Sequence, residues 1–167
     1  QAMMSQAYTH HWDEIEYFDL AVAHSEAKPE IKDVVDGCNG CHTPLAFMGG
    51  PLPPARPAEK SMANESVSCE VCHLTQAAQT DPPFNFSYLI RPGMTKYAGR
   101  TPAVESPAHK IITNDFYRTT EFCGNCHNEK SPFDVWVKST QLEWKEGPYS
   151  REDVRCQDCH MPKGGPY

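Results

Sequence analysis

Every cysteine in this chain belongs to a Cys-x-x-Cys pair, and every pair is followed at once by histidine. The copies are CNGCH at 38–42, CEVCH at 69–73, CGNCH at 123–127 and CQDCH at 156–160. An even cysteine count ordinarily suggests disulfides in a secreted chain, and paired CxxC suggests zinc in a cytosolic one. A disulfide framework has no use for the histidine. A zinc site needs only the thiolates, and an imidazole directly beside a ligating cysteine is poorly placed to share its metal. C-x-x-C-H is the attachment signature of c-type haem. Four copies that consume every cysteine therefore predict four covalent haems.

The chemistry explains the spacing. Two thiols add to the two vinyl groups of one porphyrin, two intervening residues make the turn, and the next residue brings its imidazole under the iron. Cys38 and Cys41, Cys69 and Cys72, Cys123 and Cys126, and Cys156 and Cys159 are the expected thioether anchors. His42, His73, His127 and His160 are the expected proximal ligands. No thiol is left for a disulfide or a nucleophile.

The chain has 8 histidines. Setting aside the four proximal ones leaves His10, His11, His24 and His109, one for the distal face of each iron. Any one of them alone reads as an ordinary surface or core residue, but the matching counts favour bis-histidine ligation throughout. The adjacent pair His10–His11 then has a use. Neighbouring side chains point apart, so the two can reach different irons, in one molecule or in two. The 6 methionines read as packing against porphyrin edges. Met161 follows His160 too closely to reach the opposite face of the same haem.

The motifs fall into two close pairs: Cys69 follows Cys38 by 31 positions and Cys156 follows Cys123 by 33, while Cys123 follows Cys69 by 54. We expect one tetrahaem domain over 1–167, with an N-terminal arm at 1–28, a dihaem half at about 29–80, a connector at about 81–110 and a second dihaem half at about 111–167. The connector is rich in Pro and Gly and lacks helical periodicity. Residues 49–60, GGPLPPARPAEK, read as a loop with polyproline character. Residues 11–27 predict an amphipathic helix through Ile15, Phe18 and Val22, with His24 near its end. A helix over 29–37 runs into Cys38 and stops at Gly37. Ser131, Pro132 and Asp134 predict a helix start, with a stop at Gly147–Pro148. Ser150 and Asp153 predict a capping box before Cys156, stapled by Tyr149 and Val154.

With about 42 residues per porphyrin, the haem stack must supply much of the core. The expected class is mainly α, with much irregular loop and little or no β. No apolar run is long enough to span a membrane. No charged-then-apolar leader is present, so Gln1 is expected to be a processed start. The formal charge of −7, without a basic cluster, excludes nucleic acid as a partner and favours basic ones.

The stretches CNGCHTPLAFMGG, VSCEVCH and SPAHKIITNDFYRTTEFCGNCHNEKS resemble the multihaem cytochrome c superfamily that includes the tetrahaem electron acceptor of hydroxylamine oxidoreductase. The resemblance spans roughly residues 36–160. It implies haems in stacked and near-perpendicular pairs within helical, loop-rich protein, and it implies His109 as a distal ligand. The chain also resembles the tetrahaem cytochromes that polymerise into extracellular filaments, in which a histidine near the N-terminus of one subunit ligates a haem of the next. His10 or His11 is the matching residue. These resemblances imply electron transfer by identical subunits joined head to tail, at the cell surface or outside the cell, passing electrons to redox proteins or extracellular acceptors. A soluble periplasmic carrier is the alternative. A haem enzyme acting on a small nitrogen or sulfur species would require one of the four distal histidines to be off its iron.

Overall fold

The computed structural model describes residues 3–13, 17–50, 65–99 and 105–161. Helix accounts for about half of these and strand for about a sixth, so the mainly helical, loop-rich class holds. The backbone separates into two units, 1–71 and 72–166.

The N-terminal unit is built from short helices. A 3-10 turn at Met3–Gln6 precedes α1 (Thr9–Asp13) and α2 (Tyr17–Ala27). A second 3-10 turn at Pro29–Ile31 precedes α3 (Lys32–Asp36), α4 (Asn39–His42) and α5 (Pro44–Met48). Where the sequence predicts one amphipathic helix over 11–27, two are described, α1 and α2, with 14–16 outside the described residues and Leu20 exposed on α2. Phe18 is fully buried and Val22 packs against the same cluster; Ile15 lies outside the described residues. Tyr8, Trp12 and Phe18 form the core, with ring centroids 5.2 to 6.1 Å apart in tilted and edge-on geometry. Each such ring contributes roughly 1.5–3 kcal/mol by burial. Tyr8 N donates to Ser66 Oγ at 3.1 Å and Val67 N to Met4 O at 3.3 Å, bracing the first turn. Residues 3–13 are thus folded onto this unit.

The expected run into the first motif is present. Gly37 ends α3 with φ −62°, a right-handed conformation, and Cys38 keeps helical angles. The chain therefore turns helically from α3 into α4. The proline-rich loop read at 49–60 falls mostly on 51–64, outside the described residues.

A further helix, α6 (Cys69–Leu74), contains the boundary between the units. In the C-terminal unit, β1 (Thr75–Ala78) pairs antiparallel with β2 (Tyr88–Ile90). Next, β3 (Thr95–Ala98) pairs parallel with β4 (Lys110–Thr113), in register from Thr95↔Lys110 to Ala98↔Thr113. Asn114 Oδ1 accepts from Phe116 N at 3.0 Å and caps the 3-10 turn Asp115–Arg118. Then come α7 (Glu121–His127), β5 (Asn128–Lys130) paired antiparallel with β6 (Trp136–Ser139), α8 (Thr140–Glu146), α9 (Pro148–Arg151) and α10 (Cys156–His160). Among the described residues, no helix is long and apolar enough to cross a membrane.

Two helix starts differ from expectation. The helix predicted from Ser131 is a hairpin until Thr140. Ser131 Oγ accepts from Phe133 N and Val135 N, each at 3.3 Å, and Asp134 takes φ +61°. The same hydroxyl that would cap a helix caps a turn here, because Val135, Trp136 and Val137 favour a strand. The capping box predicted at Ser150 and Asp153 lies instead at Arg155 and Asp158. Asp158 Oδ2 accepts from Arg155 N at 2.8 Å, whereas Asp153 turns left-handed, φ +54°, and binds the Arg155 guanidinium.

Candidate functional site

All four CxxCH sequences fold into helical turns, at α4, α6, α7 and α10. Residues i, i+3 and i+4 share one face of a helix, so each turn presents its two thiols and its imidazole together. None of the eight cysteines is in a disulfide. Among the described residues, no three His, Cys, Asp or Glu side chains converge as a bare-ion cage requires.

The first two motif histidines are held in one tautomer. His42 Nδ1 lies 2.8 Å from Ala7 O, and His73 Nδ1 lies 2.8 Å from Tyr97 O. A carbonyl can only accept, so each Nδ1 carries the proton and each Nε2 keeps its lone pair for a metal. Such bonds orient a ligating ring and raise its basicity. Both supports are part of the fold. Ala7 O belongs to the turn before α1, fixed by the Tyr8 core. Tyr97 O belongs to β3, held by the β4 ladder and by Gln76 Nε2 donating to the Tyr97 hydroxyl at 2.5 Å. His73, His127 and His160 are exposed and His42 is half-buried.

The third and fourth motifs are tied together. Gln157 Nε2 donates to Tyr117 O at 3.0 Å and Thr119 O at 2.8 Å, and Arg155 Nη1 donates to Arg118 O at 3.1 Å. These bonds pin α10 to the segment that leads into α7. The Cys123 and Cys156 thiols consequently hydrogen-bond each other. Burial first, then the charge and hydrogen bond of Cys156, push the Cys123 thiol up to about 12; burial likewise raises Cys156. Beside the two motifs, a cavity of about 500 Å³ is lined by Asp115, Arg118, Thr119, Thr120, Glu121, Trp144 and Arg155. Its lining sets two guanidiniums beside the carboxylates of Asp115 and Glu121, with Arg155 engaged by Asp153.

The remaining histidines occupy different settings. His11 is half-buried, its ring 4.3 Å from that of His42 and 5.4 Å from Phe18. His10 and His24 are exposed, on α1 and α2. His109 is half-buried immediately before β4, whose partner β3 supports His73. The Nδ1 of His109 is buried and makes no hydrogen bond. Met3, Met48, Met94 and Met161 are exposed. Sequence reasoning missed Ala7 and Tyr97, whose contribution is a backbone carbonyl and leaves no mark on residue type. It also missed Arg118 and Arg155, which only folding brings together.

Two protein families match parts of the chain. The NapC/NirT cytochrome c family, N-terminal region, matches residues 106–166, and cytochrome c554 and c-prime matches residues 3–74. The chain matches no curated protein and no solved structure. The two matches support a multihaem c-type cytochrome that transfers electrons through haem c.

Proposed function

We propose that this chain transfers electrons through four covalently attached c-type haems, each with histidine on both faces of its iron. We propose further that copies of it join head to tail in an extracellular filament. The observation that carries the reading is the pair of 2.8 Å bonds from His42 Nδ1 and His73 Nδ1 to backbone carbonyls. They leave Nε2 as the donor on turns whose two thiols face the same way. Haem, once attached, supplies a one-electron iron couple; the protein's part is to anchor it, orient its ligands and enclose it.

The eight cysteines serve as anchors, and His42, His73, His127 and His160 serve as proximal ligands. His11, packed against His42, serves the haem of the first motif. His109, beside the strand that holds His73, serves the second motif. His24 serves one of the last two, and the exposed His10 of a neighbouring copy serves the other. The inward setting of His11 and the outward setting of His10 support this division. A head-to-tail contact of that kind generates an open helical polymer where it does not close into a ring. With both faces of every iron taken, no coordination position is left for a substrate, which favours electron transfer over catalysis. Haem is attached to CxxCH outside the cytoplasm, consistent with a cell-surface or extracellular protein. Residues 1–71 hold 11 of the 22 acidic residues but only 4 of the 15 basic ones, so basic redox partners would be drawn to that unit.

The test begins with the mass of the intact polypeptide, expected to show four haem adducts, and with the oxidised spectrum, expected to be wholly low-spin. A high-spin signal, or rapid carbon monoxide binding on reduction, would move the reading to an enzyme with one open iron. Electron microscopy of native material should show filaments; particles of one polypeptide with four haems and nothing larger would leave a soluble carrier. His10→Ala should abolish assembly and keep four haems, whereas His11→Ala should keep assembly and alter one haem.

A further inference from the structure

We infer that Tyr117 is a positioning residue that fixes the ring plane of His73, an inference that rests on reading His73 as an axial ligand. The Tyr117 ring stacks on the His73 imidazole, with centroids 6.2 Å apart and planes 29° from parallel. Its hydroxyl donates to the carbonyls of Cys72 and Thr75, the latter at 3.0 Å. Those carbonyls bracket His73 along the chain. The phenol is thus anchored to the same backbone that carries the imidazole it covers.

The Nδ1 bond to Tyr97 O fixes one edge of the imidazole, but a single hydrogen bond still lets a ring rock about its own bond axis. A flat neighbour on one face blocks that motion. His73 is otherwise exposed, so this contact does more for it than the same contact would in a packed core. The phenol cannot easily turn away. Its other neighbour is Phe122, 4.7 Å off at 31°, and Phe122 packs edge-on against Phe116. Phe122 directly precedes Cys123, so the same ring braces the approach to the third motif.

The relative orientation of two axial imidazoles governs the g-anisotropy of a low-spin ferric iron, and second-shell contacts tune its potential. These are readouts that a merely stabilising residue would not move. The experiment uses the full-length holoprotein and compares Tyr117→Leu with Tyr117→Phe by electron paramagnetic resonance and by spectroelectrochemical titration. In Tyr117→Leu, one of the four low-spin signals should change its g-values and one of the four midpoint potentials should shift, with four haems retained. Tyr117→Phe keeps the flat ring and should restore both, losing only thermal stability. Should the leucine variant fail to load haem, Tyr117→Met, which fills volume without a planar face, gives the same reading. Four unmoved signals in the leucine or methionine variant, or a phenylalanine variant that restores nothing, overturns the assignment. His73→Met separates the two claims. If it moves no signal, His73 is not a ligand, and the failure belongs to that premise.

Discussion

Gly124, the first residue between the cysteines of the third motif, sits where three side chains converge. A Cβ there would lie 2.8 Å from Pro83 Cγ, 3.1 Å from Asn128 Nδ2 and 3.3 Å from Gln141 Cγ. Two effects oppose each other in Gly124→Ala. Replacing glycine inside a helix stabilises by about 0.5–1 kcal/mol, while overpacking costs about 1–3 kcal/mol. The pyrrolidine ring of Pro83 cannot swing aside as a flexible side chain would, so overpacking wins. Gly124→Ala should destabilise by about 1–2 kcal/mol, lowering Tm by roughly 2–8 °C without loss of haem, as circular dichroism melting of the holoprotein would show. An unchanged or raised Tm would mean that the Pro83 loop yields. Nothing in CGNCH announces this crowding, because the crowding atoms come from distant stretches of the chain. The cysteines and the histidine of that motif stand out in the sequence because the proposed covalent attachment would set their spacing. The carbonyls of Ala7 and Tyr97, which hold His42 and His73 of the first two motifs, leave no such mark, since any residue could provide them.

At the scale of the element, the helices that carry the motifs are too short to persist alone, and side chains from elsewhere complete them. Asn128, fully buried, is the clearest case. Its Oδ1 accepts from Gln141 N at 3.1 Å and Leu142 N at 3.4 Å, satisfying donors that the first turn of α8 leaves orphaned. Its Nδ2 donates to Pro83 O at 2.9 Å and Gln141 Oε1 at 3.0 Å. One amide therefore joins α8, the Pro83 loop and the end of α7. Asn128→Ala strands several buried groups at once and should cost about 2–4 kcal/mol. Amide exchange at Gln141 and Leu142 should accelerate well beyond that at α2, which the variant does not touch; uniform acceleration would indicate global destabilisation instead of a lost cap. The same long-range capping explains which boundaries the sequence betrayed. Gly147 and Pro148 end α8 by local chemistry and were readable. The start of α8 depends on Asn128, a strand away, whereas the hydroxyl of Ser131, which has the residue type of a cap, serves a turn. At α10 a local pair does the work, but Arg155 with Asp158 lacks the small hydroxyl that marks a helix start.

For the whole molecule, the decisive quantity is how little apolar protein is enclosed. A chain of this size normally hides about 70% of its unfolded surface, most of the gain coming from aliphatic and aromatic side chains. Among the described residues, the buried apolar side chains are Tyr8, Trp12, Phe18, Val35, Val71, Leu74 and Tyr88. Large apolar groups such as Leu20, Met94, Phe133, Val135 and Val137 stand well exposed. Buried asparagines, glutamine and threonines fill much of what remains, and each hydrogen bond of that kind nets only about 1 kcal/mol. Such an interior offers little to offset the conformational entropy of ordering the chain; under the proposed function, the attached haems would supply the missing apolar volume. A covalently held group would stay with the chain in both states, so it would stabilise the folded state through the apolar surface it buries there. The chain produced without haem attachment, or with all eight cysteines changed to alanine, should lose most of its helical circular dichroism. It should show no cooperative melt and be cleaved rapidly by protease under conditions where the holoprotein survives. Were the haem-free chain to melt cooperatively near the holoprotein's Tm, the polypeptide would be stabilising itself, and the porphyrins would be passengers in the fold and not its core.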